Sequence, residues 1–327
     1  MENPFAPIEE IMRRHGATAS PEEFHAAVNV CFHKFESEVY DQLHQDMWQS
    51  LPRQVNLLAT DSLQQPMPEQ IRALDIGSGT GLSTELLLRS PLGSRIQEID
   101  LLDTSPEMLE RAAARRAGLG KSGRKIHGVV EDAAAAGHRY DLIITCSVLH
   151  HVPDLASFLG AIAELQKDLP QAVFLHLQDP NQDAQSDPEY QRRVAEFNHA
   201  KIPDSVARFH PARIWGRIKR ELKGEQGQDY LSKTNQELIR QEMVQEPLTV
   251  EEIFIITDIH VQGEGISVKR LQAWLPDYDL VSERSYGFFG VLESDLPEKL
   301  KAEENRLSAE GALNGEHVSA CWRRRQP

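Results

Sequence analysis

Short apolar stretches alternate with amphipathic stretches along most of the chain. Each apolar stretch has the length of a buried strand, and the segments between several of them repeat apolar residues at the spacing of one helix face. Strands that alternate with helices in this way predict an α/β fold with a doubly wound sheet. The predicted strands cover residues 71–76, 96–102, 125–130, 140–148, 171–177, 279–292 and 317–323.

Residues 1–65 lack the strand pattern and are predicted to be helical. Ser20 and Glu23 have the spacing of a helix-capping box. Apolar residues then recur at three- and four-residue steps through residues 28–51, which predicts one long amphipathic helix that ends near Pro52.

A glycine-rich turn follows the first predicted strand. Asp75, Gly77, Gly79 and Gly81 form the pattern D-x-G-x-G-x-G directly before a helical stretch. Glycines allow a tight turn and a close approach of a ligand to the backbone. A dinucleotide-binding turn would place its last glycine at Leu82. The carboxylate of Asp75 would repel a pyrophosphate but would pair with an amino-acid ammonium group.

This stretch resembles the first motif of the class I S-adenosylmethionine (SAM)-dependent methyltransferases. The resemblance covers about residues 66–180 and 266–327. It implies a Rossmann-like sheet of seven strands with SAM as the cofactor. It also implies that the methionine end of SAM is held by Asp75, Gly77, Ser78, Gly79 and Gly81.

The second and third motifs of the family would bind the nucleoside part of SAM. Asp103, at the end of the second predicted strand, can accept both ribose hydroxyls through its two oxygens. The resemblance places Thr104 beside it and Met108 against the adenine.

After the third predicted strand, Glu131, Asp132 and Ala133 resemble the acid and small residue of the third motif. Asp132 fits best as the acceptor of the adenine amino group. Glu131 stays open as the alternative, since the match allows a slip of one residue.

The fourth predicted strand runs into Ser147, His150 and His151. Ligands of doubly wound sheets lie beyond the carboxyl ends of the strands, so these residues are expected near the chemistry, with Ser147 near the cofactor. The segment is close to the fourth motif of the family. A neutral imidazole can remove a proton from an acceptor, and His150 is the first candidate, while a structural role in orienting the loop stays open.

Asp179 follows the fifth predicted strand and either faces the substrate or serves as a turn residue. Tyr40 and His44, with His33, would share a second face of the long N-terminal helix. They are either polar residues on a packed helix or contacts of a lid over the cofactor and substrate. The predicted organisation is an N-terminal helical cap (1–65), a SAM-binding core (66–180), a mostly helical insertion over the active site (181–265) and the C-terminal part of the core sheet (266–327).

Asp258 and His260 form a compact polar group inside the insertion. These two residues would bind a metal only with partners from elsewhere in the chain, and the sequence identifies none. We therefore predict no metal site, and keep His260 as a further candidate near the acceptor.

Charge and cysteine usage narrow the functional class. The chain has 327 residues and a formal net charge of −15, which argues against a nucleic-acid surface. There is no signal-peptide pattern and no apolar run of about 18 residues, so neither export nor a membrane span is expected. The scattered cysteines, Cys31, Cys146 and Cys321, fit a reduced, cytoplasmic protein.

The leading hypothesis is an enzyme that transfers the methyl group of SAM to a small-molecule acceptor in secondary or specialised metabolism. The alternatives are a protein methyltransferase and a SAM-binding protein of this fold that catalyses another reaction. The acceptor atom stays undetermined, and both a monomer and a homodimer stay open.

Overall fold

Seven strands form a single sheet within the described part of the chain. The computed structural model describes residues 3, 5–201, 225–259 and 265–325. The strands lie in the order β3-β2-β1-β4-β5-β7-β6. Their bounds are β1 (Ile71–Ile76), β2 (Ile96–Asp103), β3 (Lys125–His127), β4 (Leu142–Cys146), β5 (Val173–Pro180), β6 (Tyr278–Tyr286) and β7 (His317–Arg324).

The sheet is doubly wound, as the sequence predicts. Strands β1 to β5 pair in parallel, while β7 pairs antiparallel with both β5 and β6. The chain first builds outward from β1 through β2 to β3 and then returns to place β4 on the other side of β1. The strand order therefore reverses between β1 and β4, and the crevice beyond their carboxyl ends is where such sheets bind ligands.

Helices connect the strands and cover both faces of the sheet. Their bounds are α1 (Ala6–Arg14), α2 (Pro21–Glu36), α3 (Tyr40–Leu43), α4 (Gln45–Leu63), α5 (Leu82–Arg89), α6 (Pro106–Gly118), α7 (Val130–Ala135), α8 (Leu155–Leu165), α9 (Gln182–Gln185), α10 (Pro188–Lys201), α11 (Glu225–Arg240), α12 (Val250–Thr257), α13 (Val268–Trp274) and α14 (Glu298–Ala309). No helix in the described ranges has both the length and the apolarity needed to cross a bilayer.

Two hydrophobic cores lie on opposite sides of the sheet because successive strand residues point to opposite faces. Ile143 and Phe174 belong to one core, together with α8 and α13. Their neighbours Ile144 and Leu175 belong to the other, which α4 and α5 cover. The continuous apolar runs in the sequence thus reflect strands that are buried on both faces.

The N-terminal helices differ from the prediction. The capping box at Ser20 is confirmed, since its hydroxyl accepts from Glu23 N and the Glu23 carboxylate accepts from Ser20 N. The prediction of a single long helix is wrong. Helix α2 ends at Glu36, the short helix α3 follows, and α4 then runs through Pro52 to Leu63. Proline in a helix interior costs about 3 kcal/mol, and α4 tolerates it because its apolar face is buried against the sheet.

The predicted end of the third strand is also wrong. Strand β3 stops at His127, and Val130 already belongs to α7. Gly128 has a φ of 147°, in the region that favours glycine, and turns the chain from strand to helix. The backbone of residues 129–132 is therefore the entry of a helix and no longer part of the sheet.

A separate helical layer lies beside the sheet. Helices α1 and α2 share one core with α11 and α12. The ring of Phe32 lies 5.6 Å from that of Tyr230 and 5.8 Å from that of Phe254. Helix α4 is different, because it packs on the sheet and its Asp61 accepts from Arg284 of β6 at 2.6 Å.

Candidate active site

The acid that ends β1 is anchored to the helix that follows the glycine turn. Oδ2 of the fully buried Asp75 accepts hydrogen bonds from the hydroxyls of Ser83 at 2.6 Å and Thr84 at 2.5 Å. Burial raises the pKa of Asp75 to about 6. Within the described residues its Oδ1 has no hydrogen-bond partner. An unpaired buried carboxylate oxygen is costly, and an ammonium group would satisfy it.

The three glycines of the turn are required for three different reasons. Gly77 packs against the loop after β4, and a Cβ there would lie 2.5 Å from Val148. Gly81, with a φ of 90°, begins α5 against Ala112 of α6. Gly79, with a φ of 50°, has no atom within 4 Å of a built Cβ, because that direction is open. Ser78 is buried, and its hydroxyl has no partner among the described residues.

The acid that ends β2 joins the glycine turn to the next helix. Asp103 accepts from Gly79 N at 2.8 Å through Oδ2 and from Ser105 N at 2.9 Å through Oδ1. Burial raises the pKa of Asp103. Each oxygen keeps a further lone pair, and the residue lines a cavity together with Thr104 and Met108.

The two acids of the third predicted motif have different positions. Asp132 accepts from Val129 N at 3.1 Å and so caps α7. Glu131 is exposed and lines the same cavity as Asp103, next to Val129. Ala133 is buried in the hydrophobic core below them. The alternative that the sequence left open, Glu131, is thus the one on the cavity wall.

The first histidine after β4, His150, is in hydrogen-bond contact with a buried carboxylate. His150 Nδ1 lies 2.9 Å from Oδ1 of Asp179, which also accepts from the backbone N of His150 at 3.3 Å. His176 approaches the other oxygen of Asp179 at 3.6 Å. Burial alone would raise the pKa of Asp179, but the hydrogen bond of His150 and the nearby His176 hold that pKa well below its usual value.

The second histidine, His151, lines the cavity and is hydrogen-bonded to a residue of the helical layer. His151 Nδ1 donates to the carbonyl of Thr257 at 2.6 Å and lies 3.3 Å from Oδ1 of Asp258, at the end of α12. Its ring centroid is 4.1 Å from that of His150. Burial and the adjacent His150 lower the pKa of His151. Ser147, which also lines the cavity, enters this loop with a φ of 60°.

A buried glutamate contacts two of the three cap residues that were predicted to share one helix face. Glu36, fully buried at the end of α2, lies 3.0 Å from Nδ1 of His33 and 3.4 Å from Nε2 of His44. Burial alone would raise the pKa of Glu36, but these two contacts hold it well below its usual value. The Tyr40 ring lies 4.3 Å from that of His44. Tyr40 and His33 line the cavity, and Glu36 is a residue that the sequence analysis missed.

One cavity of about 1260 Å³ is lined by about half of these residues, whereas Asp75, His150, Asp179 and His44 do not line it. It is lined by Gly79, Asp103, His151 and Tyr40. Its wall is largely apolar and includes Phe5, Val30, Val152, Phe158, Ile266 and Trp274. His260, a sequence candidate, lies outside the described residues.

Comparison with known proteins identifies the family to which the central part of the chain is similar. Residues 74–168 match the family model of a methyltransferase domain. A ubiquinone biosynthesis O-methyltransferase of Cereibacter sphaeroides is 37% identical over 106 residues, which cover 32% of this chain and 41% of that protein. A malonyl-[acyl-carrier protein] O-methyltransferase of Chlorobium luteolum is 33% identical over 93 residues, or 28% of this chain and 35% of that protein.

The chain carries a class I SAM-dependent methyltransferase domain. The match spans about two fifths of the length of the first of these relatives. Among solved structures, the plantazolicin methyltransferase BpumL in complex with SAH aligns over 98% of this chain and 99% of its own, with 12% identity and a TM-score of 0.47.

SAM is the cofactor of this domain, and the residues of the cleft fit its chemistry. The unpaired Oδ1 of Asp75 has the chemistry to accept from the ammonium group of the methionine moiety, although Asp75 is fully buried and lines neither cavity. The open direction at Gly79 leaves room for the ligand where a side chain would project. A smaller cavity of about 20 Å³ adjoins this turn and is lined by Tyr40, Gly77 and Ser83, among others.

Proposed function

We propose that the chain transfers the methyl group of SAM to a small-molecule acceptor bound in the 1260 Å³ cavity. The observation that carries this proposal is the continuity of that space. The same cavity is lined by Gly79 and Asp103 of the cofactor motifs and by His151. A cofactor and an acceptor bound there would be neighbours, and holding two reactants in line is the main contribution such an enzyme makes.

The cofactor residues have distinct proposed roles. Asp75 would pair with the ammonium group, with the glycine turn around the methionine moiety. Asp103 would accept the ribose hydroxyls through the lone pairs that Gly79 N and Ser105 N leave free. Met108 would lie against the adenine, whose amino group would reach Glu131 or Asp132.

The acceptor proposed here carries a substantial apolar part. Ligand cavities commonly measure about 300–1,000 Å³, and this one is larger. Its wall includes the apolar residues Val30, Val152 and Phe158. The relatives quoted above are named O-methyltransferases, so we propose oxygen as the acceptor atom. A place in specialised metabolism stays a prediction that the identity of the acceptor will test.

In the proposed reaction the acceptor oxygen attacks the methyl carbon of SAM. The carbon–sulfur bond breaks, and its electron pair stays on sulfur. The acceptor hydroxyl must lose its proton, and the histidine pair is the group beside the cavity that is suited to this task. His151 is the member that contacts the acceptor, because it lines the cavity.

Production of S-adenosylhomocysteine tests the function. The purified chain is incubated with SAM and a panel of apolar phenols, carboxylic acids and amines. We expect turnover with a hydroxyl-bearing member, and a kcat lowered by roughly 10²–10⁴ in His151→Ala, the usual contribution of acid–base catalysis, with SAM affinity retained.

The matched control is His138→Ala, since His138 lies beside Arg124 and away from the cavity. SAM binding without product formation for any acceptor would favour the alternative in which this fold uses SAM for another purpose. An unchanged kcat in His151→Ala would exclude His151 from the chemistry.

A further inference from the structure

Three potential metal ligands come together outside the cofactor motifs, and one of them, His151, lines the cavity. His150, His151 and Asp258 each offer one ligand atom, and these atoms lie within 4.8 Å of one another. The histidines come from the loop after β4, while Asp258 ends α12 of the helical layer. His150 and Asp258 are buried, and His151 is partly exposed. The fold thus supplies the partners for Asp258 that the sequence did not reveal.

A hydrogen bond fixes the imidazole ring of His150 in the form that binds a metal, since its Nδ1 is held by Asp179 at 2.9 Å. In His151 the nitrogen that faces Asp258 is Nδ1, which lies 3.3 Å from Oδ1 of Asp258 and 2.6 Å from the carbonyl of Thr257. A metal bound to Nδ1 of His151 would replace its hydrogen bond with Thr257. When Nδ1 of His150 carries the proton, its Nε2 keeps its lone pair. Histidines that ligate metals commonly donate their other N–H to a carboxylate or a backbone carbonyl, which orients the ring and makes it more basic.

We propose that His150, His151 and Asp258 bind one divalent first-row transition-metal ion. Two imidazoles and one carboxylate suit ions such as Zn²⁺, Co²⁺ and Fe²⁺. Three protein ligands leave open coordination positions, which is the arrangement of catalytic sites. Ligand bonds of about 2.0–2.2 Å place neighbouring ligand atoms roughly 3–3.5 Å apart. A separation of 4.8 Å between two ligand atoms would therefore shorten by roughly 1.3–1.8 Å on binding.

The position of the ion beside the cavity gives it a role, which rests on the proposed methyl transfer. A hydroxyl bound to such an ion loses its proton more readily. The acceptor proton then passes to solvent, the oxygen attacks the methyl carbon, and the electron pair of the broken carbon–sulfur bond stays on sulfur. In this arrangement the two histidines serve as ligands and do not take up the proton themselves.

Cobalt binding tests the site without any activity measurement. The full-length chain is treated with a chelator, dialysed and titrated with Co²⁺, whose visible absorption changes when nitrogen and carboxylate ligands replace water. We expect one equivalent of Co²⁺ per chain. His151→Ala and Asp258→Ala should weaken the affinity at least tenfold, while His138→Ala should leave it unchanged. Asp179→Asn should weaken the Co²⁺ affinity about 10- to 100-fold, the usual effect of losing a residue that hydrogen-bonds a metal-binding histidine.

Circular dichroism and SAM affinity establish that each variant is folded. Asp258→Asn keeps the shape of the side chain and serves where Asp258→Ala does not fold. A wild-type chain that shows no change in the cobalt spectrum overturns the proposal, as do folded His151 and Asp258 variants that bind Co²⁺ as tightly as the wild type. Failure of the metal site leaves methyl transfer with a histidine as the base. Conversely, absence of S-adenosylhomocysteine production leaves the cobalt result intact.

Discussion

A single methyl group added at Gly79 should remove SAM binding without disturbing the fold. Gly79 lines the cavity, and a Cβ built on it meets no atom within 4 Å. The protein therefore has room for the side chain, and the only structural cost is the φ of 50°. A left-handed conformation costs an L-residue about 1–2 kcal/mol. Alanine offsets about 0.4–1 kcal/mol of this by restricting the unfolded chain.

Gly120 provides a matched control. It has a φ of 71° and also shows no atom within 4 Å of a built Cβ. It lies in the exposed turn after α6, away from the residues that line the cavity. Gly79→Ala and Gly120→Ala should therefore lose a similar free energy of unfolding, about 1.6 kcal/mol or less. Any difference in SAM affinity between them then reports the space that the ligand occupies.

Urea denaturation gives the free energies of unfolding, and isothermal titration calorimetry gives the SAM affinities. We expect Gly120→Ala to bind SAM like the wild type and Gly79→Ala to bind at least tenfold more weakly, a loss of about 1.4 kcal/mol or more. Equal SAM affinity in all three proteins would refute the placement of the cofactor against this turn. A Gly79→Ala protein that is much less stable than Gly120→Ala would refute the claim that its side chain meets open space.

Two further variants test the carboxylates around the cleft. Asp103→Ala should lower SAM affinity by about 1–3 kcal/mol, the range for a lost charge-assisted hydrogen bond; calorimetry checks this, and unchanged affinity would remove Asp103 from the site. Glu36→Ala should lower the free energy of unfolding at pH 7 by about 1–3 kcal/mol, because it removes a fully buried carboxylate that is in hydrogen-bond contact with His33 and His44. The pKa of Glu36 is lowered in the folded state, so this stability is present above the unfolded value of about 4.3 and is lost as the pH falls below it. Urea denaturation at pH 7 and pH 4 should therefore show a smaller difference between wild type and variant at the lower pH, and an equal difference would contradict the assignment.

The sequence by itself determined the sheet and the order of its motifs. Buried strands leave continuous apolar runs, and the glycine turn after β1 leaves a pattern that few other local structures need. The capping box at Ser20 could be predicted from the sequence because both of its hydrogen bonds join residues three positions apart. These features depend on neighbours along the chain, so the local order of residues carries them.

Tertiary structure decided the features that join distant residues. The passage of α4 through Pro52 depends on burial against the sheet, which outweighs the local penalty. Asp258 meets His151 only because α12 packs beside the loop after β4. Each of these outcomes is set by contacts between segments far apart in sequence, and no local pattern records such contacts.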